Sequence, residues 1–275
     1  MRELSGKTAV ITGAGSGFGR ELAAVCAGEG MRLVLADVDS DGLDGTVERL
    51  DGAEAECVTC NVARAEEVER LADIADERFG GTHLLFNNAG VAVAGPAWTA
   101  TLDDWKWMLD VNVMGVVHGI RSFVPRMLDR GGPAHVVNTA SVAGLLSVPG
   151  SSVYCVTKHS VVTLSECLYH DLRAAGAEIG VSLLCPAYVN TGIAESDRNR
   201  PPELGETNPQ AAEYEARVRK AVRSGRISAA EVAETTVAAV KDDRFYILTH
   251  PRIKGAVEAR MHDILEERPP TNPMP

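Results

Sequence analysis

Short apolar runs alternate with longer amphipathic stretches along most of this chain. Residues 8–11, 32–36, 55–59 and 83–86 are brief, apolar and bounded by Gly, Asp or Asn, as strands are. Between them, residues 19–28, 40–50 and 65–79 carry apolar positions three and four apart, the spacing of helices. Further on, 102–128 reads as a long helix that Pro125 should kink or end. Residues 135–139 predict a strand, 151–175 a second long helix, and 181–185 a strand that stops at Pro186. A helix over 228–240 would open on Ser228 with Glu231 three residues later, and 245–248 and 253–267 predict a last strand and a terminal helix. Strand and helix in succession imply right-handed crossovers and an α/β fold with a parallel sheet covered on both faces.

No change of composition divides these elements, so a single domain over residues 1–267 is expected. The rhythm fails at residues 190–226, which are polar and hold Pro201, Pro202, Gly205, Pro209 and Gly225. A long irregular insertion in a compact domain predicts a substrate lid that orders when ligands bind. Residues 268–275 include four prolines and predict a frayed tail.

Composition narrows the partners. The chain of 275 residues is 45% hydrophobic and 24% charged, ordinary for a globular protein, and its net charge of −11 argues against nucleic acid or an anionic membrane surface as partner. No stretch of about 18 apolar residues predicts a transmembrane helix, and the N-terminus runs into the first strand without room for a signal peptide. Six cysteines scattered through apolar segments suit a reduced, cytoplasmic protein. Cys57 and Cys60 form a C-x-x-C with no second pair or nearby His, which reads as two thiols at a strand end. No metal site is expected.

The chemistry starts at Thr12-Gly13-Ala14-Gly15-Ser16-Gly17-Phe18-Gly19, between the first strand and the first helix. Glycines there let the backbone approach a pyrophosphate, and the helix presents free N–H groups and its positive dipole end. Asp37 ends the second strand, where a carboxylate accepts from ribose hydroxyls and repels a 2′-phosphate, favouring NAD over NADP. No arginine follows Asp37 directly, and Arg20 is the nearest cation that could favour NADP.

With these motifs the chain resembles the short-chain dehydrogenase/reductase family over nearly its whole length. The resemblance rests on T-G-x-x-x-G-x-G at 12–19, on Asn87-Asn88-Ala89-Gly90, on Asn112, on Ser141, and on Tyr154-x-x-x-Lys158. It implies a single Rossmann-like domain with seven parallel strands in the order 3-2-1-4-5-6-7. Tyr154 and Lys158, four apart on a helix, share one face. A free phenol titrates near about 10, and a neighbouring ammonium favours the phenolate, which would bring Tyr154 toward use as an acid/base. By resemblance Ser141 would bond the substrate oxygen, Lys158 the nicotinamide ribose, and Asn112 a water leading from Lys158 to solvent. The cofactor contacts implied are Gly13, Ser16, Gly17, Phe18, Gly19, Asp37, Asn61, Val62, Asn88, Ala89, Gly90, Tyr154, Lys158, Pro186, Val189 and Thr191.

Three positions depart from the family's pattern. Pro186 is followed by Ala187 where glycine is frequent, Asn61 stands where an acid is common, and Phe18 replaces a smaller aliphatic residue. Trp98, Trp105 and Trp107 read as packing or a subunit interface, with Trp98 as a candidate for the substrate entrance. Cys155 and Cys185 read as core. Leu145, Leu146, Val148 and Pro149 suggest an apolar cleft wall, hence a hydrophobic secondary alcohol or ketone as substrate. The alternatives are an NADP(H)-dependent ketoreductase, another chemistry of the same family, or an NAD-sensing protein without turnover. A homotetramer is expected, with a dimer as second choice. Its contacts would be the two long helices, where Val153, Val156, Val161, Leu164 and Leu168 leave apolar surface on several sides, and the 228–240 helix with the 245–248 edge strand.

Overall fold

The structure, a computed structural model, describes residues 1–205 and 209–273. Seven parallel strands form one sheet in the order β3-β2-β1-β4-β5-β6-β7. They are β1 (Thr8–Thr12), β2 (Arg32–Asp37), β3 (Ala55–Thr59), β4 (Leu84–Asn87), β5 (Ala134–Thr139), β6 (Ile179–Cys185) and β7 (Tyr246–Leu248). Every residue of β1, β4 and β5 is buried, as strands covered on both faces require.

Because side chains alternate along a strand, neighbouring residues feed opposite layers. Ile11, Leu35 and Phe86 meet α1 (Gly17–Gly28) and α8 (Ala229–Lys241) on one face. Val10, Val34 and Leu85 meet α3 (Ala65–Phe79), α5 (Gly115–Arg130) and α6 (Ser152–Ala174) on the other. Helix ends follow local chemistry. Gly80 closes α3 in the left-handed conformation, and the expected Ser228/Glu231 capping box opens α8. α2 (Ser40–Val47) connects β2 to β3, and α9 (Ile253–Leu265) follows β7.

Four expectations need correction. Pro125 does not end its helix: α5 runs through it to Arg130, held by buried Phe123, Val124 and Met127. The irregularity in 102–130 lies earlier, where α4 (Leu102–Leu109) passes into α5 through a π-helical turn at Asp110–Met114. Residues 190–226 are not structureless. They contain a 3-10 segment, Gly192–Asn199, and the amphipathic helix α7 (Ala212–Arg223); residues 206–208 of this expected lid lie outside the described residues. The tail begins tied back rather than frayed. Asp263 accepts from Arg268 N through its carbonyl (2.8 Å) and from Thr271 N through its carboxylate (2.8 Å), while residues 274–275 lie outside the described residues. Finally, Val153, Val161 and Leu168 are spent inside the protomer, leaving Val156 exposed on α6.

No helix among the described residues is long and apolar enough to cross a membrane, and no group of three or more His, Cys, Asp or Glu there could hold a metal ion. Cys57 and Cys60 carry thiols that burial pushes up, Cys60 to about 12, which makes them poor nucleophiles.

Candidate active site

A cavity of about 670 Å³ runs along the C-terminal ends of the strands, where ligands of open parallel sheets bind. The glycine turn forms one wall. Gly13 and Gly17 adopt φ of +69° and +51°, and a Cβ on Gly13 would stand 2.8 Å from Ala89 Cα, so the turn is pressed against the Asn88–Gly90 loop. Thr12 fastens the two: its hydroxyl accepts from Asn88 N (2.9 Å) and Ala89 N (3.1 Å) and donates to Phe86 O (3.1 Å). Ser16, at the N-cap of α1, makes no side-chain cap, so the first amides of the helix stay available to an anion. The open amides, the glycine cradle and the length of the cavity fit a dinucleotide.

Two residues of the expected set stand outside the cavity wall. Gly19 is needed for packing: a Cβ there would lie 2.0 Å from Gly13 O. Asn112, in the π-helical turn, spends its side chain on the chain after the Asn88–Gly90 loop. Its Oδ1 accepts from Val91 N (2.8 Å), and its Nδ2 donates to Val91 O (2.9 Å) and Thr157 Oγ1 (3.1 Å). The side chain thus braces Val91 against Thr157 of α6. The remaining expected contacts, from Gly13 through Thr191, all line the cavity.

Asp37 sits at the end of β2 as expected, with its carboxylate also supporting the turn: Oδ2 accepts from Gly15 N (2.8 Å) and Oδ1 from Asp39 N (3.1 Å). Arg20 points away from the cavity into backbone. It donates to Gly15 O, to Gly42 O (3.2 Å) and to Thr46 Oγ1 (3.0 Å). Asn61 Oδ1 caps its own loop by accepting from Ala63 N (3.0 Å), and Val62 O meets His118 Nδ1 at 2.8 Å.

Ser141, Tyr154 and Lys158 line the same cavity as the glycine turn. The 3-10 turn Val142–Gly144 packs so tightly on α6 that a Cβ on Gly144 would come 2.6 Å from Lys158 O. Ser141 Oγ accepts from Ala143 N (3.2 Å) and donates to Pro186 O (3.3 Å), and it stands close enough to the Tyr154 phenol to pull its titration down. Lys158 is buried, donates to Thr139 O (3.0 Å), and holds its Nζ 5.6 Å from the centre of the Tyr154 ring. Burial raises the Tyr154 phenol to about 12, with the Ser141 hydrogen bond working the other way, and lowers Lys158 to about 8. Without a bound ligand the phenol is held protonated, with burial as the largest cause.

The candidate substrate end of the cavity is the stretch of wall formed by Val91, Trp107, Val148, Tyr188, Leu204 and Val222. Trp107 takes the place expected for Trp98, which is 87% exposed, and Val148 alone of the four residues expected in the cleft wall lines it. Cys155 is buried and accepts from Val148 N (3.4 Å), and Cys185 lies buried near Lys158, so both behave as core. Sequence reasoning missed how residues 190–226, the expected lid, are fastened. Ser196 Oγ accepts from Ala92 N (3.0 Å), Arg200 pairs with Asp104 at 2.8 Å, and a Cβ on Gly150 would lie 2.3 Å from the Tyr214 ring. These residues follow no local periodicity, so no pattern marks them.

The sequence profile described as short chain dehydrogenase matches residues 7–202. A short-chain dehydrogenase/reductase from Burkholderia phymatum, solved in complex with NAD, superimposes with a TM-score of 0.98 at 51% identity over 100% of both chains. The 1-deoxy-11-beta-hydroxypentalenate dehydrogenase of Streptomyces avermitilis is 36% identical over 95% of this chain and 91% of its own. The C alpha-dehydrogenase of a Sphingobium strain is 30% identical over 98% of this chain and 89% of its own. A fold, a cavity and a motif set built in this way, matched along the full chain, make the protein a member of the short-chain dehydrogenase/reductase family of oxidoreductases.

Proposed function

We propose that the protein interconverts a hydrophobic secondary alcohol and its ketone with NAD(H), using Tyr154 as the acid/base. The observation that carries this reading is the convergence of Ser141, Tyr154 and Lys158 in the cavity that the glycine turn borders. NAD(H) supplies the hydride acceptor or donor. In reduction, hydride reaches the carbonyl carbon, the π pair moves to oxygen, and Tyr154 gives that oxygen its phenolic proton. Oxidation reverses the step, with Tyr154 taking the carbinol proton. Ser141 orients the same oxygen, and the Lys158 ammonium, still largely charged at neutral pH, stabilises the phenolate left behind. The apolar wall supports a hydrophobic substrate. A panel of secondary alcohols read by nicotinamide absorbance tests the reading; cofactor binding without turnover on any of them would favour a sensing protein.

NAD(H) is preferred over NADP(H) in this reading. Asp37 lines the cavity, whereas Arg20, the cation nearest the turn in sequence, is committed to backbone carbonyls and Thr46. Repulsion of a 2′-phosphate and loss of charge-assisted ribose bonds are each worth about 1–3 kcal/mol, so kcat/KM should favour NADH by about tenfold or more. Asp37→Asn, which keeps an acceptor for Gly15 N but removes the charge, should narrow that ratio. Equal kcat/KM for both cofactors in the wild type removes the argument.

A homotetramer remains the expected assembly. Exposed Leu109, Met114 and Val156 mark the α4–α6 face, and Tyr246, Ile264 and Leu265 the β7 edge and the outer side of α9. Light scattering should give about 117 kDa, four times 29.2 kDa. Half that mass leaves one contact, and a monomer at micromolar concentration excludes both.

A further inference from the structure

The geometry points to Arg198, carried by the lid, as a ligand of the cofactor's pyrophosphate, an inference that rests on the dinucleotide reading of the cavity. Arg198 belongs to the 3-10 segment Gly192–Asn199 and lines the cavity, yet its Nη2 lies 3.5 Å from Ser16 Oγ in the glycine turn, across 182 residues of sequence. The guanidinium is aimed by the lid's own backbone: Nη1 donates to Gly192 O (2.6 Å) and Glu195 O (2.9 Å). A Cβ on Gly192 would stand 3.0 Å from the guanidinium, so the glycine lets Arg198 lie close against its own segment.

The partners that aim Arg198 are neutral, while the Glu195 carboxylate is turned to Arg223 at 3.3 Å. Its positive charge is therefore held, without a neutralising carboxylate from Glu195, at the mouth of a turn whose helix amides are open to an anion. Amides of a glycine turn contribute partial charges only, whereas a planar guanidinium can bond two phosphate oxygens at once. Placing that group on the lid makes the cofactor a tie between the glycine turn and Gly192–Asn199. The same segment reaches Ala92 through Ser196, so phosphate binding at one end holds the wall of the substrate end in place.

The test compares NADH, ADP and adenosine by calorimetry or nucleotide fluorescence in wild type, Arg198→Ala and Arg198→Lys. ADP carries the pyrophosphate without the nicotinamide, and adenosine, used as a millimolar competitor, carries neither. Arg198→Ala should weaken NADH and ADP alike by about tenfold, as expected for loss of a charge-assisted hydrogen bond. Adenosine should be unaffected, and Arg198→Lys should recover part of the loss. The gap in affinity between wild type and the Arg198→Ala variant should also shrink in high salt. NADH and ADP binding within about twofold of wild type overturns the assignment. So does an equal loss of adenosine, which would mean a collapsed site. A wild type that binds neither NADH nor ADP overturns both this inference and the cofactor reading; unchanged mutant binding overturns Arg198 alone.

Discussion

Tyr154→Phe is expected to lower kcat for both oxidation and reduction by more than about a hundredfold, the lower bound of what a positioned acid/base contributes. The phenol lines the cavity beside Ser141 and carries a titratable proton there. Removing its oxygen deletes that donor and leaves the ring, so NADH binding should be little changed and stability should fall by only about 1 kcal/mol for one lost hydrogen bond. The pH dependence of the wild type carries a second signature. Burial holds the phenol high, to about 12, and Lys158 low, to about 8. Oxidation needs the deprotonated phenol, so its rate should rise with pH up to about 8 and then bend as Lys158 loses the charge that supports the phenolate. Reduction needs the proton in place and should not share that rise. A Tyr154→Phe enzyme that keeps more than about a tenth of wild-type kcat would remove Tyr154 from the proton transfer.

The part of this site that was legible in the sequence is the part with short, fixed spacings. Tyr154 and Lys158 sit one helical turn apart, and the glycine turn has to follow β1 and open α1, so their residue order already carries their geometry. The seven-strand order was legible only through the family resemblance, which strand lengths and periodicity do not contain. Asn112 shows a different limit. Its position was recognisable, but the π-helical turn that directs its amide to Val91 has no local sequence signal, so the side chain's bracing task was not. The titration of Tyr154 shows a related limit: spacing reports the neighbouring ammonium but not the burial that pushes the phenol up. Residues 190–226 were legible as a break in rhythm and opaque in their interior, because their anchors pair residues far apart in sequence. Ser196 with Ala92 and Arg198 with Ser16 are contacts of this kind.

Arg200 is the anchor whose loss should cost most. Its guanidinium meets Asp104 of α4 at 2.8 Å, with side-chain exposures of 6% and 1%. It also lies 5.2 Å from the centre of the Trp107 ring and donates to Gly205 O (2.8 Å) and Leu204 O (3.3 Å). Asp104 is bound at the same time into the capping box of α4, accepting from Thr101 N at 2.8 Å, so it cannot swing out to water without uncapping the helix. Arg200→Met would keep most of the stem's packing on Trp107 while leaving a buried carboxylate without its cation. Breaking a buried pair on one side costs about 3–5 kcal/mol, which in a chain of this size lowers Tm by about 6–15 °C. Trp107 and Leu204 both wall the substrate end, so KM for the alcohol should rise while NADH affinity stays near wild type. Adding Asp104→Asn removes the orphaned charge and preserves an acceptor for Thr101 N, so the double variant should regain about half or more of the lost stability. It should not regain the substrate KM, because the lid still lacks its tie to α4. Amide exchange in Gly192–Asn199 should quicken in both variants relative to the strands. An Arg200→Met protein within about 1 kcal/mol of wild type, with unchanged lid exchange, would show that the pair does not hold the lid.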